Sequence, residues 1–78
     1  MHENLIISDP KIMMGKPVVA GTRVTVEHIL DELGAGRSFD DLLAAHQHLT
    51  RQSILAALAY AARVLRNGEA RPLHDAGT

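Results

Sequence analysis

Three capping residues divide the centre of this chain more firmly than any other feature. Thr25, Ser38 and Thr50 each stand immediately before apolar residues of helical period. A side-chain oxygen at such a place satisfies a backbone N–H that a helix start leaves without a partner. After Thr25, the residues Val26, Ile29, Leu30 and Leu33 recur at helical spacing, Glu27 lies in the first turn, and Gly34 and Gly36 supply the stop. After Ser38, Phe39, Leu42 and Leu43 are expected to face inward. Asp40 and Asp41 complement the positive helix end, and Asp41 takes the third position of a capping box. "HQHL" interrupts this helix. Thr50 opens the longest one, Arg51 to Arg66, whose expected stripe is Ile54, Leu58, Ala61 and Leu65, flanked by Leu55 and Ala62. Asn67-Gly68 ends it.

The chain ahead of these helices is of another kind. Leu5 to Ser8 is a short β-branched run closed by Asp9-Pro10, and Val18-Val19 is a second, closed by Ala20-Gly21. Two brief strands form an arm that is not stable alone and must lie on the helices or on another chain. Between and after them runs "GKPVVAGTRVTV", whose Gly15-Lys16 and Gly21-Thr22 invite a phosphate-loop reading. The spacing opposes it. A phosphate loop leads from Gly-Lys-Ser/Thr directly into a helix, whereas Lys16 is followed by Pro17, which removes a backbone donor. The structural reading is that Pro17 sets the approach to Val18 and that Gly21 takes a turn conformation closed to residues with side chains. Lys16 and Arg23 remain available to touch a phosphate as simple cations.

These elements predict a mainly α chain. Residues 1–66 form one helix-turn-helix domain with a β arm over residues 1–24, and residues 67–78 follow as a flexible tail. The link Gln47-His48-Leu49 has the length of a helix-turn-helix turn. A chain of 78 residues without cysteine has neither a large core nor disulfides, so association into a homodimer or a higher even oligomer is expected. The β arm or the alanine-rich face of the third helix would supply the contact. No run of the sequence is long and apolar enough to span a membrane, and the first ten residues lack a leader pattern, so a cytoplasmic placement is expected.

Catalytic and metal chemistry find little to work with. His46 and His48 are two residues apart and would point to different helix faces, and no carboxylate completes a ligand spacing. Histidines there suit a helix end. Ser8, Ser38 and Ser53 sit at strand ends and caps, and no nucleophile, base and orienting group can be assembled. Neither an enzyme, a metal site nor a cofactor is expected. One Phe and one Tyr leave no stacking platform for single-stranded nucleic acid.

The third helix carries more. Arg51, Arg63 and Arg66 fall within it and no acid does, against a formal net charge of −1 for the whole chain. On the face opposite the stripe lie Gln52, Ala56, Ala59 and Arg63, with Tyr60 and Arg66 at its edges. Such a surface suits the major groove of DNA or another protein's helix; a plain solvated face with alanines chosen for helix propensity accounts for it as well. If DNA is the partner, Arg51, Gln52 and Ser53 occupy the first turn, where a recognition helix reads bases, and Arg63, Lys16 and Arg23 supply further contacts.

The stretch from Ile7 to Ala62 resembles a small bacterial family, the domain of unknown function 433. The residues that carry the likeness are Asp9-Pro10, Gly15-Lys16-Pro17-Val18, Gly21-Thr22-Arg23, Leu49-Thr50 and the run from Ala56 to Ala61. The resemblance implies a homeodomain-like three-helix fold behind a β arm. It also implies the antitoxin half of a type II toxin–antitoxin pair, similar to the VapB class, beside a PIN-like nuclease, with binding to its own operator. Two positions depart from the family pattern: Gln52-Ser53 replaces an acidic pair, and Gln47-His48 stands where Tyr-Pro is common. For an antitoxin that meets the carboxylates of a nuclease, Arg66 and Arg71 are the candidate cations, and Pro72 and Leu73 the candidate anchors. The rival expectations are a stand-alone DNA-binding transcriptional regulator and a protein–protein interaction module without DNA binding.

Overall fold

The computed structural model describes residues 5–68. Strand β1 (Ile6–Ile7) pairs antiparallel with β2 (Val18–Val19), in the register Ile6 to Val19 and Ile7 to Val18. Three helices follow, α1 (Val26–Gly34), α2 (Phe39–Ala45) and α3 (Arg51–Arg66). The architecture is a small three-helix bundle with a two-stranded arm.

All three expected caps form. The Thr25 hydroxyl accepts from the His28 amide at 2.9 Å, Ser38 Oγ from Asp41 at 3.0 Å and Thr50 Oγ1 from Ser53 at 3.1 Å. Asp41 returns a bond to the Ser38 amide at 2.8 Å, completing the box. Helix α1 runs through Gly34, and its stop is Gly36, at φ +96°. There the Arg37 and Gly36 amides donate back to the carbonyls of Glu32 and Leu33, each at 3.0 Å.

The valine–glycine segment folds a corner. Thr25 bridges back to Val18, the Val26 amide donates to the Pro17 carbonyl at 2.9 Å, and Val19 donates to Val24 at 2.9 Å. At the tip Gly21 adopts φ +81°, and Thr22 Oγ1 donates to the Val19 carbonyl at 2.8 Å while accepting from the Val24 amide at 3.0 Å. The amides of Val19, Ala20, Thr22, Val24 and Val26 are thus spent inside the chain and do not form a cradle for phosphate.

The core gathers Val18, Val19, Val26, Ile29, Leu42, Leu49, Ile54 and Ala57 from β2, the three helices and the turn before α3. The stripe of α3 follows the expected one at Ile54 and, half-buried, at Leu58 and Ala61, and departs from it at Leu65 and at Ala57. Ser53, Ile54 and Ala57 are its buried residues, Ala61 and Val64 are half-buried, and Leu55, Ala62 and Leu65 are exposed. Ala57 is fully buried, so the buried line runs through an alanine that hydropathy ranks below the leucines.

Candidate nucleic-acid interface

The α2–α3 corner is built by local bonds. His46 caps α2 in an extended conformation, the Leu49 amide donates to the His46 carbonyl at 3.1 Å, and Leu49 is buried as the anchor of the turn. Thr50 and Ser53 then lock the start of α3 in both directions. The Thr50 amide donates to Ser53 Oγ at 3.1 Å, in exchange for the bond from the Ser53 amide to Thr50 Oγ1. The two hydroxyls are 2.9 Å apart.

This lock corrects one expected contact. Ser53 is only 4% exposed, and its oxygen is committed to Thr50, so it holds the helix start and does not reach a base. Arg51 and Gln52 remain exposed on the first turn. The Arg51 guanidinium lies 5.2 Å from the centre of the Phe39 ring and 3.8 Å from Asp40 Oδ1. That ion pair is at the surface, where such pairs contribute little, so an incoming phosphate can displace it.

The other candidates divide between two places. Arg23, on the loop beyond Gly21, borders a hollow of about 500 Å³ with His46, Gln47 and His48 of the turn that leads into α3. Lys16 lies elsewhere, ion-paired to Glu27 at 3.2 Å and lining an apolar groove between α1 and the far half of α3. Arg63 stacks on Tyr60, its guanidinium 5.5 Å from the ring centre, about 18 Å along the helix from Arg51 at the usual rise per residue. Arg23 thus borders the turn that leads into α3, Arg51 and Gln52 stand exposed on the first turn of that helix, and Lys16 lies in the other groove. His46, Gln47 and His48 line the hollow beside Arg23, a contact with a distant loop that the spacing of the turn did not announce. His46 also meets His28 of α1 edge-on, with ring centres 5.3 Å apart; the signal for that contact is purely tertiary.

The hydroxyls of Ser38 and Ser53 are engaged in caps. Asp41 has its carboxyl held below the usual carboxylate range, chiefly by the Ser38 amide, then by the Ser38 hydroxyl, with Arg37 adding to them. Among the described residues no three His, Asp or Glu side chains converge as metal ligands, and no helix is long and apolar enough to cross a membrane. Arg66 is exposed at the end of α3, while Arg71, Pro72 and Leu73 lie outside the described residues.

Comparison with known proteins adds the following. The family model of DUF433, a protein family of unknown function, matches residues 6–61. The uncharacterized protein y4eO of Sinorhizobium fredii is 38% identical over 69 residues, which cover 88% of this chain and 28% of that protein. The chain thus spans little more than a quarter of the length of that curated relative. No solved structure matches.

Proposed function

We propose that this chain, which belongs to the DUF433 family, is a binding protein that reads DNA with the first turn of α3 and serves as the antitoxin of a nuclease toxin. The observation that carries the DNA half is the surface on which Arg51 and Gln52 stand exposed beside the α2–α3 turn, with Arg23 bordering the same turn. A short helix, a tight turn and a longer helix with polar side chains on its first turn are what entry into a major groove requires. Arg51 and Gln52 can each form paired hydrogen bonds to a base edge, and Arg23 supplies a phosphate contact. The antitoxin half rests on the likeness of residues 7–62 to a family whose expected partner is a PIN-like nuclease. Arg66 lies at the opposite end of α3 from Arg51, so a contact of the first turn with DNA does not cover it. Silencing by surface contact needs no bond-making by this chain.

The test is retardation of its own promoter DNA over a range of salt concentrations. Arg51→Ala should weaken specific binding by about 1–3 kcal/mol. Arg23→Ala should weaken all sequences alike and reduce the salt slope by about 1. Co-expression with a neighbouring nuclease tests the second half, because growth must be rescued by wild type and by Arg51→Ala alike. DNA binding without any such rescue would leave a stand-alone regulator. The apolar groove between α1 and α3 favours the second reading, a module that only joins proteins, and that reading requires no retardation at any salt.

A further inference from the structure

We infer that the groove between α1 and the C-terminal half of α3 seats a second copy of this chain, giving a two-fold dimer. The groove has a volume of about 380 Å³ and an almost wholly apolar lining that includes Leu30, Tyr60, Val64 and Leu65. Leu65 is 62% exposed, although it belongs to the longest helix of the bundle.

Charge selects the occupant. The α1 rim of the groove is acidic, with Glu27 and Asp31. Lys16 pairs with Glu27, and among the described residues Asp31 has no cation within ion-pair distance. The last turn of α3 carries Arg66 next to Leu65, while Arg63 lies on another face against Tyr60; among the described residues Arg66 has no carboxylate within ion-pair distance. An apolar residue with a cation beside it is what this acidic-rimmed groove accepts, and Leu65 with Arg66 is such a pair. A two-fold axis satisfies both copies at once, Leu65 of each entering the groove of the other and Arg66 facing Asp31, as an isologous contact demands.

Size points the same way. Among the described residues the buried apolar core is eight residues, one of them alanine, and the chain has no cysteine. Domains of this length commonly draw further stability from association. A stable interface takes about 800 Å² from each partner, which is roughly a seventh of the 5541 Å² of accessible surface here. This assembly replaces the β arm and the alanine-rich face as the dimer contact, and it stands whether or not α3 meets DNA.

Sedimentation equilibrium of the full chain from micromolar to near-millimolar concentration tests the inference, with circular dichroism to verify that each variant keeps its helices. Wild type should be dimeric. Leu65→Glu changes an exposed residue, so it should stay folded and become monomeric. Asp31→Arg and Arg66→Asp should each weaken the dimer about tenfold or more, and combining them should restore most of the loss. A wild-type chain that is monomeric throughout overturns the inference. So does a dimer that Leu65→Glu and both charge reversals leave unchanged.

Discussion

Removing the hydroxyl of Ser53 separates a helix lock from a base contact. In Ser53→Ala the methyl group stays in the same buried place, so no sizeable cavity opens. What disappears is the acceptor for the Thr50 amide at 3.1 Å and the hydroxyl contact at 2.9 Å, while Thr50 Oγ1 still caps the backbone at position 53. Half of a capping box contributes about 0.5–1 kcal/mol, and loss of the cap itself in Thr50→Ala about 1–2 kcal/mol. Because the two side chains share their bonds, the double variant should lose less than the sum, by about 0.5 kcal/mol. A loss of about 1 kcal/mol lowers the midpoint of a domain this small by about 4–8 °C. The assay is urea and thermal unfolding followed by helical dichroism, with DNA retardation measured well below every midpoint. Ser53→Ala should lower stability and leave the affinity for DNA as it was, whereas Gln52→Ala should do the reverse. The reasoning is refuted if Ser53→Ala unfolds like wild type yet abolishes retardation.

Gly21→Ala places a side chain at φ +81° with nothing within 4 Å of the new carbon, so strain alone should cost about 1–2 kcal/mol; an unchanged urea midpoint would contradict that. Ile54 is fully buried, so Ile54→Ala should cost about 2–5 kcal/mol, against a total near 4–12 kcal/mol for a chain of this length. Leu55→Ala, on the exposed side, should stay within about 0.5 kcal/mol, and equal losses would place the buried stripe elsewhere. Asp41 ionises more readily in the folded chain than in the unfolded one. Its contribution is therefore complete above the ordinary aspartate range and fades as pH falls through the lower folded value. Asp41→Asn should flatten the acid limb of the stability profile, and an unaltered limb would assign acid unfolding to another group.

Much of the fold is written locally. Thr25, Ser38 and Thr50 each act on an amide three residues away, so their type and position were enough to place three helix starts. Gly21 and Gly36 are of the same kind, since a positive φ is a property of one residue and its neighbours. The stripe of α3 was legible at Ile54 and Leu58 but not at Ala57 and Leu65, because hydropathy favours the leucine, while the core buries the smaller residue. Ser53 shows the same limit: its chemistry suits a base contact and a cap equally, and only the bond from the Thr50 amide decides between them. The surface was likewise decided in three dimensions. Arg23 and the turn before α3 are more than twenty residues apart and meet at one hollow, whereas Lys16, closer to Arg23 in the chain, belongs to another. Capping and turn chemistry act over a few bonds and can be read in one dimension. Burial and the assembly of a surface depend on which distant segments meet, and that is settled only when the whole core closes.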